Sequence, residues 1–186
     1  MCNHEKRKAR KKATAEDFTP PKLVNEMLDK LLEYGKEQVN GEDKTYLDPA
    51  CGNGNILIEV LKRKLSLGHN PTTALSTLYG CDIMRDNIRE CRLRLLATLR
   101  DAGTAITREH VKTVFNQIVV TSLKNYKNGS LDYDYCFKNK SSAKDVDLWM
   151  EGIEHKRWLD NPSASTKEMS KVDNEMEEAE EASIFD

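Results

Sequence analysis

The sequence predicts an α/β fold in which a mainly parallel sheet carries helices on both faces. The first observation is at residues 46–58, where a short apolar run ends in Asp-Pro, passes two glycines and continues with helical apolar spacing. The second is that further strand-like runs alternate with helical patterns along the chain. Open sheets of this class bind ligands at the carboxyl ends of their strands, so we expect a ligand-binding loop at residues 48–54.

Length and charge predict one domain with charged ends. The 186 residues leave room for a single modest core, and 38% hydrophobic with 32% charged residues is a polar but foldable mixture. Residues from Lys6 to Lys12 are mostly basic, whereas those from Glu168 to Asp186 are rich in Glu and Asp. Runs of like charge are usually solvated. We therefore predict a basic flexible arm at 1–16, a domain at 17–160 and an acidic disordered tail at 161–186.

The cysteines and the hydropathy indicate a cytoplasmic protein. Its five cysteines are scattered and lack metal-ligand spacing, so we expect free thiols and no metal. No signal peptide or long apolar run is visible, and we expect no contact with a membrane.

The individual elements follow from caps and periodicity. Thr19 can cap a first helix with Pro20 at its first position, and the helical spacing fades near Gln38. The remaining predicted elements are strands at 45–47, 78–83, 118–121 and 133–137, helices at 55–65, 71–75, 85–99, 108–114 and 146–158, and a loop at 125–130. The last helix carries Trp149 and Trp158, which either pack in the core, the favoured interpretation, or face a partner.

Three features meet at one edge of such a sheet. The glycines follow strand one, Asp82 ends strand two and Ser122 ends strand three. An acid at the end of strand two can accept hydrogen bonds from the hydroxyls of a ribose. The alternatives are a plain turn for the glycines and a helix cap for Asp82, but the coincidence of the two favours a nucleotide-like ligand.

These residues resemble the amino-group DNA methyltransferases, especially the adenine-N6 branch. The family signature Asp-Pro-Ala-Cys-Gly-x-Gly is matched by residues 48–54, and Phe18-Thr19-Pro20 is similar to the upstream motif. The resemblance implies a Rossmann-like methyltransferase fold and S-adenosylmethionine as cofactor. The cofactor-binding residues that it implies are Phe18, Thr19, Pro20, Asp48, Pro49, Ala50, Cys51, Gly52, Gly54, Asp82, Ile83 and Ser122.

The catalytic motif of the family, Asn-Pro-Pro-aromatic, is only partly matched. Counting from Asp134 places Asn139 at the position of the catalytic asparagine, but Lys140-Ser141-Ser142 replaces the rest. In the family the asparagine accepts a hydrogen bond from the amine of a base taken out of the stack. Ser142 cannot stack on that base. An ordinary loop asparagine is the alternative for Asn139.

Three functions stay open at this point. The first is an adenine-N6 DNA methyltransferase whose basic arm, Lys6 to Lys12, contacts DNA phosphates. The second is a cofactor-binding subunit or regulator without its own activity, with a second protein chain completing the fold. The third is a protein or RNA methyltransferase of the same group. Few residues follow Asn139, so we expect the fold to be incomplete at its C-terminal end.

Overall fold

Three of the four predicted strands form a parallel sheet in the described part of the chain. A computed structural model describes residues 19–35, 41–121, 126–127, 130–131, 137 and 142–169. The sheet order is β1 (Tyr46–Asp48), β2 (Leu78–Asp82) and β3 (Ile118–Val120), with all strands parallel. The α/β class is thereby confirmed, and the carboxyl ends of the strands meet at one edge.

Seven helices lie in the described part of the chain, and local signals start most of them. They are α1 (Pro21–Tyr34), α2 (Asn55–Ser66), α3 (Pro71–Ser76), α4 (Arg85–Asp101), α5 (Arg108–Gln117), α6 (Ala143–Glu154) and α7 (162–169). The side chain of Asn70 caps α3, and that of Thr107 caps α5. Pro21, not Pro20, is the first residue of α1, and no side chain caps this helix, so the cap predicted at Thr19 is wrong.

The helices bury their apolar side chains in one cluster on one face of the sheet. Leu78 and Ile118 contribute to this cluster from the strands. Successive side chains of a strand point to opposite faces, so Cys81 and Val119 lie on the other side, where they form a separate cluster with Phe137. Within the described residues the helices therefore cover one face, whereas the sequence predicted helices on both.

The two tryptophans pack in the core. Trp149 is 4% exposed and Trp158 is 1% exposed, with their rings edge to face at 6.2 Å between centroids. Helix α6 ends at Glu154, earlier than predicted, and Trp158 turns back to donate its backbone N–H to the carbonyl of Gly152 at 3.2 Å. The favoured interpretation of these residues is confirmed, and neither is available to a partner.

Two further regions differ from the predictions. A short antiparallel hairpin, β4 (Tyr126–Lys127) with β5 (Ser130–Leu131), occupies the predicted loop at 125–130. Helix α7 forms from residues 162–169 of the predicted acidic tail and buries Thr166 and Met169, so the boundary predicted at 161 precedes a packed helix.

Some predictions fall on residues that the structure does not describe. Of the strand predicted at 133–137 only Phe137 is described. The basic arm and residues 170–186 lie outside the described ranges as well. In the described ranges no helix has the length and apolar content needed to span a membrane.

Candidate functional site

The loop of residues 48–54, called the glycine loop below, joins β1 to α2. Gly52 and Gly54 have φ angles of 52° and 88°, in the left-handed region that glycine adopts without steric cost. The amide of Gly54 donates to the carbonyl of Cys51 at 2.8 Å, and the carbonyl of Gly54 accepts the amide of Ile58 at 2.9 Å as α2 begins. The two glycines thus turn the chain sharply from the strand into the helix.

The underside of the glycine loop packs closely on β2 and α4. The amide of Cys51 donates to the carbonyl of Cys81 at 2.9 Å, and a Cβ added to Gly80 would lie 3.0 Å from Sγ of Cys51. A Cβ added to Gly54 would collide with Sγ of Cys91. A hydrogen bond with Cys91, together with burial, holds the pKa of the Cys51 thiol well above its usual value. Cys51 is therefore a neutral, buried residue that packs the underside of the loop.

Two carboxylates lie at the carboxyl ends of β1 and β2. Oδ2 of Asp82 accepts the amide of Gly52 at 3.0 Å, and Oδ1 of Asp82 accepts the amide of Met84 at 2.7 Å. Asp82 therefore anchors the glycine loop and closes the turn that precedes α4, whose own N-cap residue, Met84, makes no side-chain cap.

The second carboxylate, Asp48, is partly buried. Its Oδ1 accepts the amide of Ala50 at 3.1 Å. Burial raises the pKa of Asp48, the bond from Ala50 lowers it, and the nearby charge of Asp82 raises it further. The edge of the sheet therefore carries concentrated negative charge, which favours a ligand with positive charge.

Two exposed apolar side chains lie at the carboxyl ends of β2 and β3. Ile83, directly after Asp82, is 66% exposed, and Val120 at the end of β3 is 39% exposed. Apolar side chains beside hydrogen-bonding groups are what a flat heterocyclic ring joined to a ribose requires. This edge therefore has the chemistry for a nucleoside.

The start of α1 is fixed against the glycine loop by Asn55. Nδ2 of Asn55 donates to the carbonyl of Thr19 at 2.9 Å. This contact brings Thr19 and Pro20 to the N-terminal end of α2, beside Gly54. Asn55 was not among the predicted site residues. Its position directly after the second glycine is the sequence feature that could have indicated a role in holding the loop.

Most of the predicted site residues come together in the structure. Those gathered around the glycine loop and the end of β2 are Thr19, Pro20, Asp48, Pro49, Ala50, Cys51, Gly52, Gly54, Asp82 and Ile83. Phe18, Ser122 and Asn139 lie outside the described residues. No group of three His, Cys, Asp or Glu that could hold a metal ion occurs in the part of the chain that the structure describes.

The comparison with known protein families agrees with this geometry. The sequence model of a family described as N-6 DNA Methylase matches residues 5–150. The chain belongs to this family. Members of the N-6 DNA methylase family use S-adenosylmethionine as methyl donor, and the matched range contains the whole glycine loop, Asp82 and Asn139. No solved structure matches the chain.

One position of the N-6 DNA methylase pattern has a defined structural role here. Ser142, which the sequence analysis aligned with the aromatic residue of the family motif, is the N-cap of α6. Its Oγ accepts the amide of Asp145 at 3.1 Å, while Oδ2 of Asp145 accepts the amide of Ser142 at 3.1 Å. This reciprocal pair is a capping box, which commits Ser142 to starting a helix.

Proposed function

We propose that this chain binds S-adenosylmethionine at the carboxyl edge of its sheet and serves methyl transfer to the N6 amine of adenine in DNA. The observation that carries the proposal is the bond from Gly52 to Asp82, which joins the glycine loop to the acid of β2. A carboxylate oxygen has two lone pairs, so Oδ2 of Asp82 can accept a ribose hydroxyl in addition to the amide of Gly52. Ile83 would then lie against the adenine of the cofactor.

The charge at the edge suits this cofactor. S-adenosylmethionine carries a positive sulfonium and an ammonium group, and the pKa of Asp48 is raised because its charge is buried near that of Asp82. A bound cation offsets the repulsion between two neighbouring carboxylates and stabilises their charged forms. Gly52 has no Cβ, so the methionine part of the cofactor can approach the backbone of the loop closely at this position.

In this proposal Asn139 is the residue that accepts a hydrogen bond from the target amine. The lone pair of that amine is delocalised into the ring, so catalysis requires an acceptor for its proton and alignment with the methyl group. The assignment of Asn139 rests on its distance from Asp134 in the sequence.

A second candidate function is a cofactor-binding subunit that does not transfer methyl groups by itself. The capping box at Ser142 favours it, because a serine that starts α6 supplies no ring to stack on the target base. In this case a second chain supplies the base-binding residues. Among the described residues, no particular contact favours a protein or RNA substrate.

Cofactor binding and methyl transfer, measured separately, distinguish the two candidates. Isothermal titration with S-adenosylmethionine and transfer of labelled methyl to unmodified duplex DNA are measured on the wild type and on Asn139→Ala, with single-stranded RNA as a control acceptor. Binding together with transfer that Asn139→Ala abolishes supports the enzyme. Binding without transfer supports the subunit. A wild type that does not bind the cofactor contradicts both.

Contact of the basic arm with DNA remains a prediction. If the arm, Lys6 to Lys12, pairs with phosphates, DNA affinity falls steeply as salt is raised, and replacing its lysines by alanine reduces that salt dependence. An equal salt dependence in the wild type and in the substituted chain would exclude the arm as the contact.

A further inference from the structure

Behind the glycine loop, α4 presents two charged residues one helical turn apart. Oε1 of Glu90 accepts Nδ2 of Asn53 at 3.0 Å, and the same oxygen accepts Oγ of Ser163 at 2.8 Å. Asn53 lies between the two glycines of the loop and is 4% exposed. Glu90 therefore connects the buried centre of the loop to α7.

Arg94 holds the same loop residue by its backbone. Nη1 of Arg94 donates to the carbonyl of Asn53 at 2.7 Å and to Oδ1 of Asn55 at 2.8 Å. Asn55 in turn donates to the carbonyl of Thr19 at 2.9 Å. Arg94 therefore fastens the loop and, through Asn55, the start of α1.

The loop needs such support because of its own composition. A glycine loses more conformational freedom on folding than any other residue, and Asn53 has one on each side. Hydrogen bonds to a charged group are roughly twice as strong as those between neutral groups. The carboxylate of Glu90 binds the side chain of Asn53, and the guanidinium of Arg94 binds its backbone carbonyl. Together they fix the segment that the glycines leave flexible.

We propose that Glu90 and Arg94 are positioning residues that hold the glycine loop in its ligand-binding shape. They act through Asn53 and link the loop to Thr19 on one side and to Ser163 on the other. The effect on cofactor affinity rests on the proposed function above. The effect on the shape of the loop does not, and it can be measured without cofactor.

The same helix offers a matched control in Arg92. Nε of Arg92 donates to the carbonyl of Ile118 at 2.8 Å, and its guanidinium lies 4.2 Å from the centroid of the Phe115 ring. Arg92 and Arg94 are both partly buried on α4 and both bond to backbone carbonyls. Arg92, however, supports β3 and α5 instead of the glycine loop. Arg92→Met and Arg94→Met should therefore lower the free energy of unfolding by similar amounts but loosen different parts of the fold.

The first measurement is amide hydrogen exchange in the cofactor-free protein. In Arg94→Met the amides of Gly52 and Gly54 should exchange at least about tenfold faster than in the wild type, as expected from losing charge-assisted bonds. In Arg92→Met the increase should instead appear near Ile118. Unchanged protection of Gly52 and Gly54 in Arg94→Met, or an equal increase there in both variants, would overturn the proposal.

The second measurement is titration of the same proteins with S-adenosylmethionine. Arg94→Met should bind about tenfold more weakly or worse, and Arg92→Met should stay within about twofold of the wild type. A wild type that does not bind refutes the proposed function, but the exchange experiment still decides the positioning role. If Arg94→Met fails to fold, Glu90→Gln is measured in its place. Glu90→Gln removes the charge that faces Asn53 and Ser163. Faster exchange at Gly52 and Gly54 with weaker cofactor binding supports the proposal, and unchanged exchange there overturns it.

Discussion

The backbone amide of Gly52 donates a hydrogen bond to Oδ2 of Asp82 over 3.0 Å. The two residues are 30 positions apart in the sequence; Gly52 lies in the loop after β1, and Asp82 is the last residue of β2. A substitution that moves the glycine loop therefore also moves the acid that we assign to the ribose. Affinity for the cofactor and order in the loop should change together.

Gly54→Ala should destabilise the fold through both its backbone and its side chain. The φ of 88° costs a non-glycine residue about 1–2 kcal/mol, and the new Cβ collides with Sγ of Cys91, which adds about 1–3 kcal/mol of overpacking. The free energy of unfolding, measured by denaturant titration, should fall by the sum.

Gly103→Ala is the matched control for that substitution. Gly103 has a φ of 87°, but nothing lies within 4 Å of a Cβ added there, so only the backbone cost of about 1–2 kcal/mol applies. Adding Cys91→Ala to Gly54→Ala should recover part of the loss. Equal losses in Gly54→Ala and Gly103→Ala would show that Cys91 does not crowd the loop.

Gly152→Ala should destabilise α6 although alanine favours helices. A Cβ at this position would enter the ring of Trp158, so overpacking should cost about 1–3 kcal/mol and shift the tryptophan fluorescence. When Trp158→Leu makes room, the same Gly152→Ala change should become neutral or gain up to about 1 kcal/mol from helix propensity. A stabilising effect of Gly152→Ala in the wild-type background would contradict the packing of Trp158 on α6.

His110 should make the fold less stable in mild acid. Nδ1 of His110 accepts the amide of Thr107 at 3.2 Å, and its Nε2 lies 2.9 Å from Oγ1 of Thr72. Because Nδ1 must be unprotonated to accept a hydrogen bond, only the neutral ring can make the contact with Thr107. Burial lowers the pKa of His110, and the charge of Glu109 offsets only part of this effect. Below the ordinary histidine pKa, about 6.5, the unfolded chain therefore binds the proton more readily, and stability falls as the pH drops from 7 to 5.

His110→Gln isolates this effect. Glutamine keeps a polar side chain at the capping-box position but does not titrate. Thermal unfolding midpoints of the wild type should fall more steeply between pH 7 and 5 than those of His110→Gln. The slope attributable to the histidine is at most about 1.4 kcal/mol per pH unit. Parallel pH profiles of the two proteins would exclude His110 as the source.

The glycine loop and the acid at the end of β2 could be predicted from the sequence because their signals are local. Two glycines after an Asp-Pro pair specify a sharp turn wherever they occur, and an apolar run that ends in an acid marks the end of a strand. The bonds from α4 to Asn53 could not be predicted in this way. They join residues 37 and 41 positions apart, and only the packing of α4 against α2 brings them together.

The two segments that differ from the predictions carry local signals for the structures they form. Asn161-Pro162 begins α7 as Asn70-Pro71 begins α3, with Oδ1 of Asn161 accepting the amide of Ala164 at 3.2 Å. The acidic composition that follows concealed this helix start. The sequence between β4 and β5, Asn128-Gly129, is likewise the pair most typical of short hairpins.

The most direct test of the account is calorimetric titration of S-adenosylmethionine into the wild type and into Asp82→Ala. The wild type should bind one equivalent. Asp82→Ala should bind at least about tenfold more weakly, because it loses the charged acceptor for the ribose and the anchor of Gly52. An affinity in Asp82→Ala equal to that of the wild type, or a wild type that does not bind, would contradict the assignment of a cofactor site to this edge of the sheet.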